Sequence, residues 1–241
     1  MCVRITVTIH EQLLAAIAGD GRLEAGDRLC QACVQLLDVD AAAISLVFDG
    51  ANAATVGASG PQAQVFDELQ FILGEGPCLD SVALQAPVLV VDLADPHDVR
   101  WPAYGAAMLE HQIRGVYAMP VLVAGEWVGA LDLFRAQPGP LRAEQLAGAV
   151  AAAELAAIPV LDLMSADLKD ALFDPSSTAW AELNTLSRAE VSQATGMLMA
   201  QLGIDAAEAL VRLRAHAYAT DRSAIDVARD ILDRRLMLED D

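Results

Sequence analysis

Two groups of residues in this 241-residue chain could do chemistry, and their spacing says which kind. The first is made of thiols. Cys78 follows the breaker Gly74-Glu75-Gly76-Pro77, which puts it at a helix start, where backbone donors and the helix dipole favour a thiolate. Glu75 and Asp80 stand close in sequence and push the other way, so an inert buried thiol is the alternative. Cys30 and Cys33 form a C-x-x-C, but they lie in the helical stripe of Leu29, Ala32, Leu36 and Leu37. With no second pair and no βαβ pattern they read as core, not as redox or zinc ligands. The second group suits nucleic acid: Arg214 and Tyr218 are four apart and share a helical face, and Arg222 follows on the next turn. Unstacked bases stack on rings and on guanidinium planes. The alternative is a half-buried Tyr218 and arginines paired with neighbours, Glu208 with Arg212 and Asp230 with Arg234. The four histidines (10, 97, 111, 216) show no ligand spacing, so no metal site is expected and no cofactor is assigned.

Composition bounds what can position these groups. Hydrophobic residues make up 55% and charged residues 20%, which excludes an acidic disordered polymer. No apolar run is expected to reach the roughly 18 residues of a membrane span, and His10 and Glu11 sit where a signal peptide needs apolar residues. A cytoplasmic protein with reduced thiols is the expectation. The net charge of -19 argues against a nucleic-acid partner until it is divided along the chain. Residues 1–182 carry -16, residues 183–238 balance seven Arg against seven acids, and the last three residues add -3. Two modules with different partners follow from that asymmetry.

The elements read as α+β. A helix over 27–37 precedes a hairpin of strands 42–48 and 53–58 across a turn at 49–52, and 62–73 is helical. Residues 87–91 read as a fully buried strand, 102–112 as a helix, and 115–123 with 127–134 as a second hairpin. An Ala-rich helix over 142–157 should break or kink at Pro159. Beyond Asp174-Pro175 the pattern is helical. Ser187, Asp205 and Ser223 each precede an acid by three residues, the signature of a capped start, with a longer helix from near Ser177 as the alternative for Ser187, and Gly203 suits a helix end. Three such helices make a core of under 60 residues, which needs support from a long preceding helix or a second chain.

Residues Arg188 to Met199, Glu208 to Tyr218 and Asp226 to Ile231 together resemble an ANTAR domain. The resemblance implies a three-helix unit, usually dimeric, that binds paired stem-loops in nascent leader RNA and prevents transcription termination. It implies RNA contacts from Arg188, Gln193, Thr195, Gly196, Arg214, Tyr218, Arg222 and Arg229, with Thr195 standing where many members have Lys. Gly196 in mid-helix costs about 1 kcal/mol against Ala, which close helix packing or close RNA approach would explain. Phe71 to Asp80, Pro87 to Asp92, Arg100-Trp101-Pro102, Met119-Pro120-Val121 and Gly129 to Leu133 resemble a GAF domain, an antiparallel sheet flanked by helices that senses small molecules. Cys78, Trp101, Tyr104 and Met119 would wall its pocket, plain core being the alternative.

The expected organisation is a GAF sensor over 10–158, a helical linker over 159–182 and an ANTAR module over 183–238. The expected function is a non-enzymatic, homodimeric antitermination regulator whose sensor takes an unknown small molecule, redox state or partner, with no membrane role. Two other functions stay open: a thiol enzyme like the free methionine-(R)-sulfoxide reductases, using Cys78, and a protein-interaction module that never binds RNA. The acidic sensor should repel RNA from all but the three helices. Residues 177–238 alone should therefore discriminate a stem-loop leader RNA from its scrambled sequence less well than the full chain does. Equal discrimination in a filter-binding comparison would remove that role for the charge.

Overall fold

A computed structural model describes residues 8–18, 24–48, 50–170 and 188–238. Thr8 opens the first helix, α1 (Ile9–Ile17), with a capping box in which the Thr8 hydroxyl accepts from the Glu11 N–H and the Glu11 carboxylate accepts from the Thr8 N–H. The amphipathic α2 (Glu24–Leu37) follows. Next come strands β1 (Ala41–Phe48) and β2 (Ala51–Ala58), then α3 (Pro61–Leu73), α4 (Pro77–Leu84), the short strand β3 (Val88–Val90) and α5 (Pro102–Glu110). Strands β4 (Gly115–Val123) and β5 (Glu126–Arg135) precede the long α6 (Ala143–Asp170). The strands form one antiparallel sheet in the order β2-β1-β5-β4-β3. The fold is α+β, as the sequence suggests.

Strand alternation divides the interior in two. From β4, Tyr117, Met119 and Val121 join Leu29, Cys30, Cys33, Ile44, Leu131 and Leu133 beneath α1, α2 and α6. Val116 and Ala118 point the other way, toward Phe66, Trp101, Tyr104 and Met108 of the α3 and α5 layer. Met119 therefore lies across the sheet from Trp101 and Tyr104 and shares no pocket with them, contrary to the sequence expectation.

Several boundaries differ from the sequence reading, each for a physical reason. Ala51 and Asn52 are not turn residues but pair with Phe48 and Val47, which makes the hairpin tighter. Strand β3 is only half buried, because it is an edge strand whose Leu89 faces outward. Helix α6 continues across Pro159 without a break. The lost backbone bond is offset by burial, since Ala156, Pro159 and Val160 are all covered. The stretch Ala143–Asp162 is, by length and composition, long and apolar enough to cross a membrane, which the sequence reading did not anticipate. Ala149, Ala152, Leu155, Ala156 and Val160 pack into the sheet core, as in the core helix of a water-exposed domain.

The C-terminal helices are α7 (Ala189–Leu202), α8 (Ala206–Ala219) and α9 (Ala224–Leu232). Asp205 and Ser223 cap α8 and α9 through Glu208 N–H and Asp226 N–H, and Gly203 ends α7 at φ 68°. Ser187 and residues 171–182 of the expected linker lie outside the described residues. The small core of Val191, Ala194, Leu198, Leu213, Val227 and Ile231 is completed by Phe71 and Ile72 of α3. Among the described residues, the support that so small a core needs comes from α3.

One approach fixes the first layer to the sheet. A Cβ on Gly26 would lie 2.6 Å from the Val56 carbonyl oxygen, and one on Gly57 would lie 2.6 Å from the Gly26 Cα. Both obstructions are backbone, so neither can be relieved by a rotamer change. Gly57→Ala should destabilise the protein by about 1–3 kcal/mol, read as a lowered urea midpoint at unchanged m-value; a midpoint equal to that of wild type would contradict the packing.

Candidate functional site

Helix α3 carries chemistry on two sides. On the inner side Gln70, fully buried, donates to Asp132 of β5 (2.7 Å) and accepts from the backbone N–H of Cys78 (2.9 Å). That second bond supplies α4 with the N-terminal acceptor its Gly76 cap cannot provide. Gly76 is required because a Cβ there would meet the Gln70 side chain, and Gly74 because it closes α3 at φ 66°. The helix-start donor that could have favoured a Cys78 thiolate is thus already engaged. The Cys78 thiol is wholly buried beside Val47 and Ala130, and desolvation first, then Asp132 and Asp67, push its pKa well up. Glu75 and Asp80 act elsewhere: Glu75 accepts from the N–H groups of Ala103 and Tyr104 at the start of α5, and Asp80 accepts from the Trp101 indole.

Asp132 lies on the same face, and desolvation, aided by Asp67, pushes its pKa up to about 8. Its Oδ1 and the Tyr104 hydroxyl are buried with no hydrogen-bond partner. Trp101, in edge contact with Tyr104, closes the layer. Of the expected pocket residues, Cys78, Trp101 and Tyr104 share this side of the sheet, and Met119 does not. Cys30 and Cys33 sit in the opposite core, their pKa values raised by burial, that of Cys33 to about 12. Among the described residues no group of three or more His, Cys, Asp or Glu could hold a metal ion.

On its other side α3 meets the C-terminal helices. Arg188, only 4% exposed, donates to the Asn52 carbonyl (2.8 Å), the Asn52 side-chain oxygen (2.7 Å) and Glu68 (2.9 Å), and lies 3.7 Å from Asp67. Asp67 is itself fully buried and accepts from Ser45, Asn52 and Thr55. Glu68 also accepts from the Ala224 N–H at the start of α9, where the helix dipole favours a carboxylate. The guanidinium carbons of Arg188 and Arg214 lie 4.1 and 4.3 Å from the Phe71 ring centroid, within cation–π range. Arg214 reaches the C-terminal cap of α3 at Gly74. Its Nε is buried without a partner, and desolvation together with Arg188 lowers its pKa.

The other residues expected to contact RNA are spread unevenly. Tyr218 is 47% exposed and lines, with Arg188, Arg222, Glu68 and His111, a cleft of about 1030 Å³ between α3 and the C-terminal helices. Arg222 bonds Asp230 (2.6 Å), which also takes Arg235 rather than the expected Arg234. Arg229 pairs with Glu190, and Arg212 with Glu208. Gln193 is exposed, while Thr195 is buried and spends its hydroxyl on the Val191 carbonyl, so it presents no donor outward. Among the described residues a Cβ on Gly196 would meet nothing within 4 Å, so packing against them does not require glycine there. Sequence reasoning missed Asn52, Asp67, Glu68, Gln70 and Asp132 as site residues. The available signal was an acid in the apolar run Ala130-Leu131-Asp132-Leu133-Phe134 and an acidic pair inside a half-apolar helix.

The raised Asp132 pKa has a definite sign in stability. Between about pH 4 and about 8 the folded protein holds a proton that the unfolded chain has released, so stability falls as pH rises through that window. Asp132→Asn should abolish the dependence. It should be more stable than wild type at pH 7.5, with the gap closing toward pH 4 by up to roughly tenfold in the folding equilibrium per pH unit. Parallel urea midpoints for the two proteins across that range would refute the buried proton.

Comparison with known proteins agrees with this division. The GAF domain family matches residues 22–160 and the ANTAR domain family residues 182–232. A search of curated proteins finds no relative of the chain. Among solved structures, the GAF domain of a phosphoenolpyruvate-protein phosphotransferase from Coxiella burnetii is 20% identical with a TM-score of 0.52, covering 65% of this chain and 93% of that one. The corresponding domain from Acinetobacter is 14% identical with the same TM-score and the same coverage. A type II free methionine-R-sulfoxide reductase from Thermoplasma acidophilum is 18% identical over 58% of this chain and 92% of that one, at a TM-score of 0.45. The sheet with its helical layers fills the first match and α7 to α9 the second; the chain belongs to the GAF domain family and is a GAF-ANTAR protein.

Proposed function

We propose that this chain is a non-enzymatic transcription antitermination regulator whose C-terminal helices bind paired stem-loops in nascent leader RNA, and whose GAF domain governs that binding. The observation that carries the reading is the ANTAR match over residues 182–232, which spans all three helices and the Arg–Tyr face. Tyr218 and Arg222, at the rim of the cleft, supply a ring and a guanidinium for an unstacked base. The working division remains a sensor over 10–158, a linker over 159–182 and an RNA-binding module over 183–238. The signal is a small molecule, a redox state or a partner, and the regulator acts in the cytoplasm as a homodimer. The buried polar cluster of Cys78, Gln70, Tyr104 and Asp132, with two unpartnered oxygens, is where a small polar ligand would be felt. A thiol enzyme has less support, since the Cys78 sulfur is wholly buried and its pKa is raised.

Binding to a synthetic leader RNA of two tandem stem-loops should exceed binding to its scrambled sequence and should weaken steeply with salt, because phosphate contacts release counterions. Tyr218→Ala should reduce the affinity by about 1–3 kcal/mol, the worth of one base stacked on an aromatic ring. Fluorescence anisotropy measures both. A salt-independent interaction, or equal affinity for the two RNAs, would instead mark the helices as a protein-interaction module.

A further inference from the structure

The C-terminal module rests on the sensor through two of the residues on which RNA binding depends. Arg188 is enclosed by Asn52, Asp67 and Glu68, and Arg214 lies over Phe71 with its Nε buried. A nucleic acid offers guanidinium groups two things, anionic oxygens and flat π faces. Helix α3 offers the same two: the carboxylates of Asp67 and Glu68 stand where phosphates would, and the Phe71 ring where a base would. The contact also holds the start of α9 through Glu68 and its Ala224 N–H bond. We infer that α3 of the GAF domain is an internal competitor for RNA, so that the docked form is an RNA-excluded state and RNA binding requires Arg188 and Arg214 to leave Asp67, Glu68 and Phe71. This rests on the RNA-binding function proposed above and deepens it by naming what the sensor does to that site.

Release leaves the two sheet layers of the GAF domain in place. Asp67 keeps Ser45, Asn52 and Thr55 as donors when Arg188 departs, and Phe71 and Ile72 belong to the C-terminal core rather than to the sheet layers. Substitutions on the outer side of α3 should therefore open the contact and leave the GAF domain folded.

The test uses the full-length chain, wild type beside Phe71→Ala and Glu68→Lys, with two readouts. Hydrogen exchange reports docking over residues 62–73 and 188–224, and anisotropy reports affinity for the synthetic tandem stem-loop RNA. The expected result is faster exchange in both variants together with RNA affinity raised tenfold or more, and faster exchange over 62–73 when wild type is saturated with RNA. Two results would overturn the inference while leaving RNA binding standing: variants that open yet bind RNA within twofold of wild type, or a wild-type RNA complex whose α3 protection is intact. Opened variants and wild type that all fail to bind RNA would overturn the RNA-binding function itself, and the inference with it. Glu68→Lys serves as the independent variant should Phe71→Ala not fold, because Glu68 is partly exposed and lies outside every apolar core.

Discussion

Asp67 is a carboxyl group with no exposed surface, and an interior carboxyl must be supplied with donors or it destabilises the fold by several kcal/mol. Much of the molecule is arranged around that requirement. Strand β1 brings Ser45, strand β2 brings Asn52 and Thr55, and the C-terminal module brings Arg188. Asn52 serves twice, donating to Asp67 through its amide and accepting from Arg188 through its oxygen. The same side chain thus joins a sheet hairpin, a sensor helix and a module more than 130 residues further along the chain.

The position of Asp67 on α3 makes the helix a lever between two environments. Gln70 and Phe71 are adjacent, yet Gln70 faces the interior, bonded to Asp132 and Cys78, while Phe71 faces the two arginines. Any change that moves Gln70 must move the backbone that carries Phe71, since consecutive helical residues share one rigid turn. Asp132 responds to its surroundings through its own proton and through an unpartnered oxygen, and it is coupled electrostatically to Asp67. A change of charge at Asp132 is therefore felt at Asp67 and Gln70, one turn apart on α3.

What was legible in the sequence was local. The caps at Asp205 and Ser223 and the stop at Gly203 were readable because each depends on residues at most four apart. The helical stripe holding Cys30 and Cys33 was readable for the same reason. Other features were misread where packing across the chain decides them. Pro159 carries a breaker's propensity, but buried packing on both sides of it keeps α6 whole. Met119 was grouped with Trp101 and Tyr104 by sequence neighbourhood, whereas the two-residue period of β4 decides its face. Nothing near Arg188 in sequence hints at its partners Asn52 and Glu68, and the bond of the Thr195 hydroxyl to Val191 was not read. Charge partnership was legible between near neighbours, as for Glu208 with Arg212, and not across the chain, as for Arg188 with Glu68.

Of the two arginines at the contact between the units, Arg214 is the less well bonded. An arginine held over a ring gains about 0.5–2 kcal/mol by cation–π attraction, but among the described residues this one leaves its Nε without a partner, and desolvation first, then the Arg188 guanidinium, lower its pKa. Arg188 holds the contact through Asn52 and Glu68, while Arg214 holds it through the Phe71 ring with its Nε buried. An interface built from one satisfied and one unsatisfied cation can be displaced by a partner that bonds both. A chain of net charge -19 whose sensor carries -16 cannot attract a polyanion by its overall field. Its selectivity must come from the short-range bonds that its own carboxylates now occupy, and those bonds are made or broken on one helix.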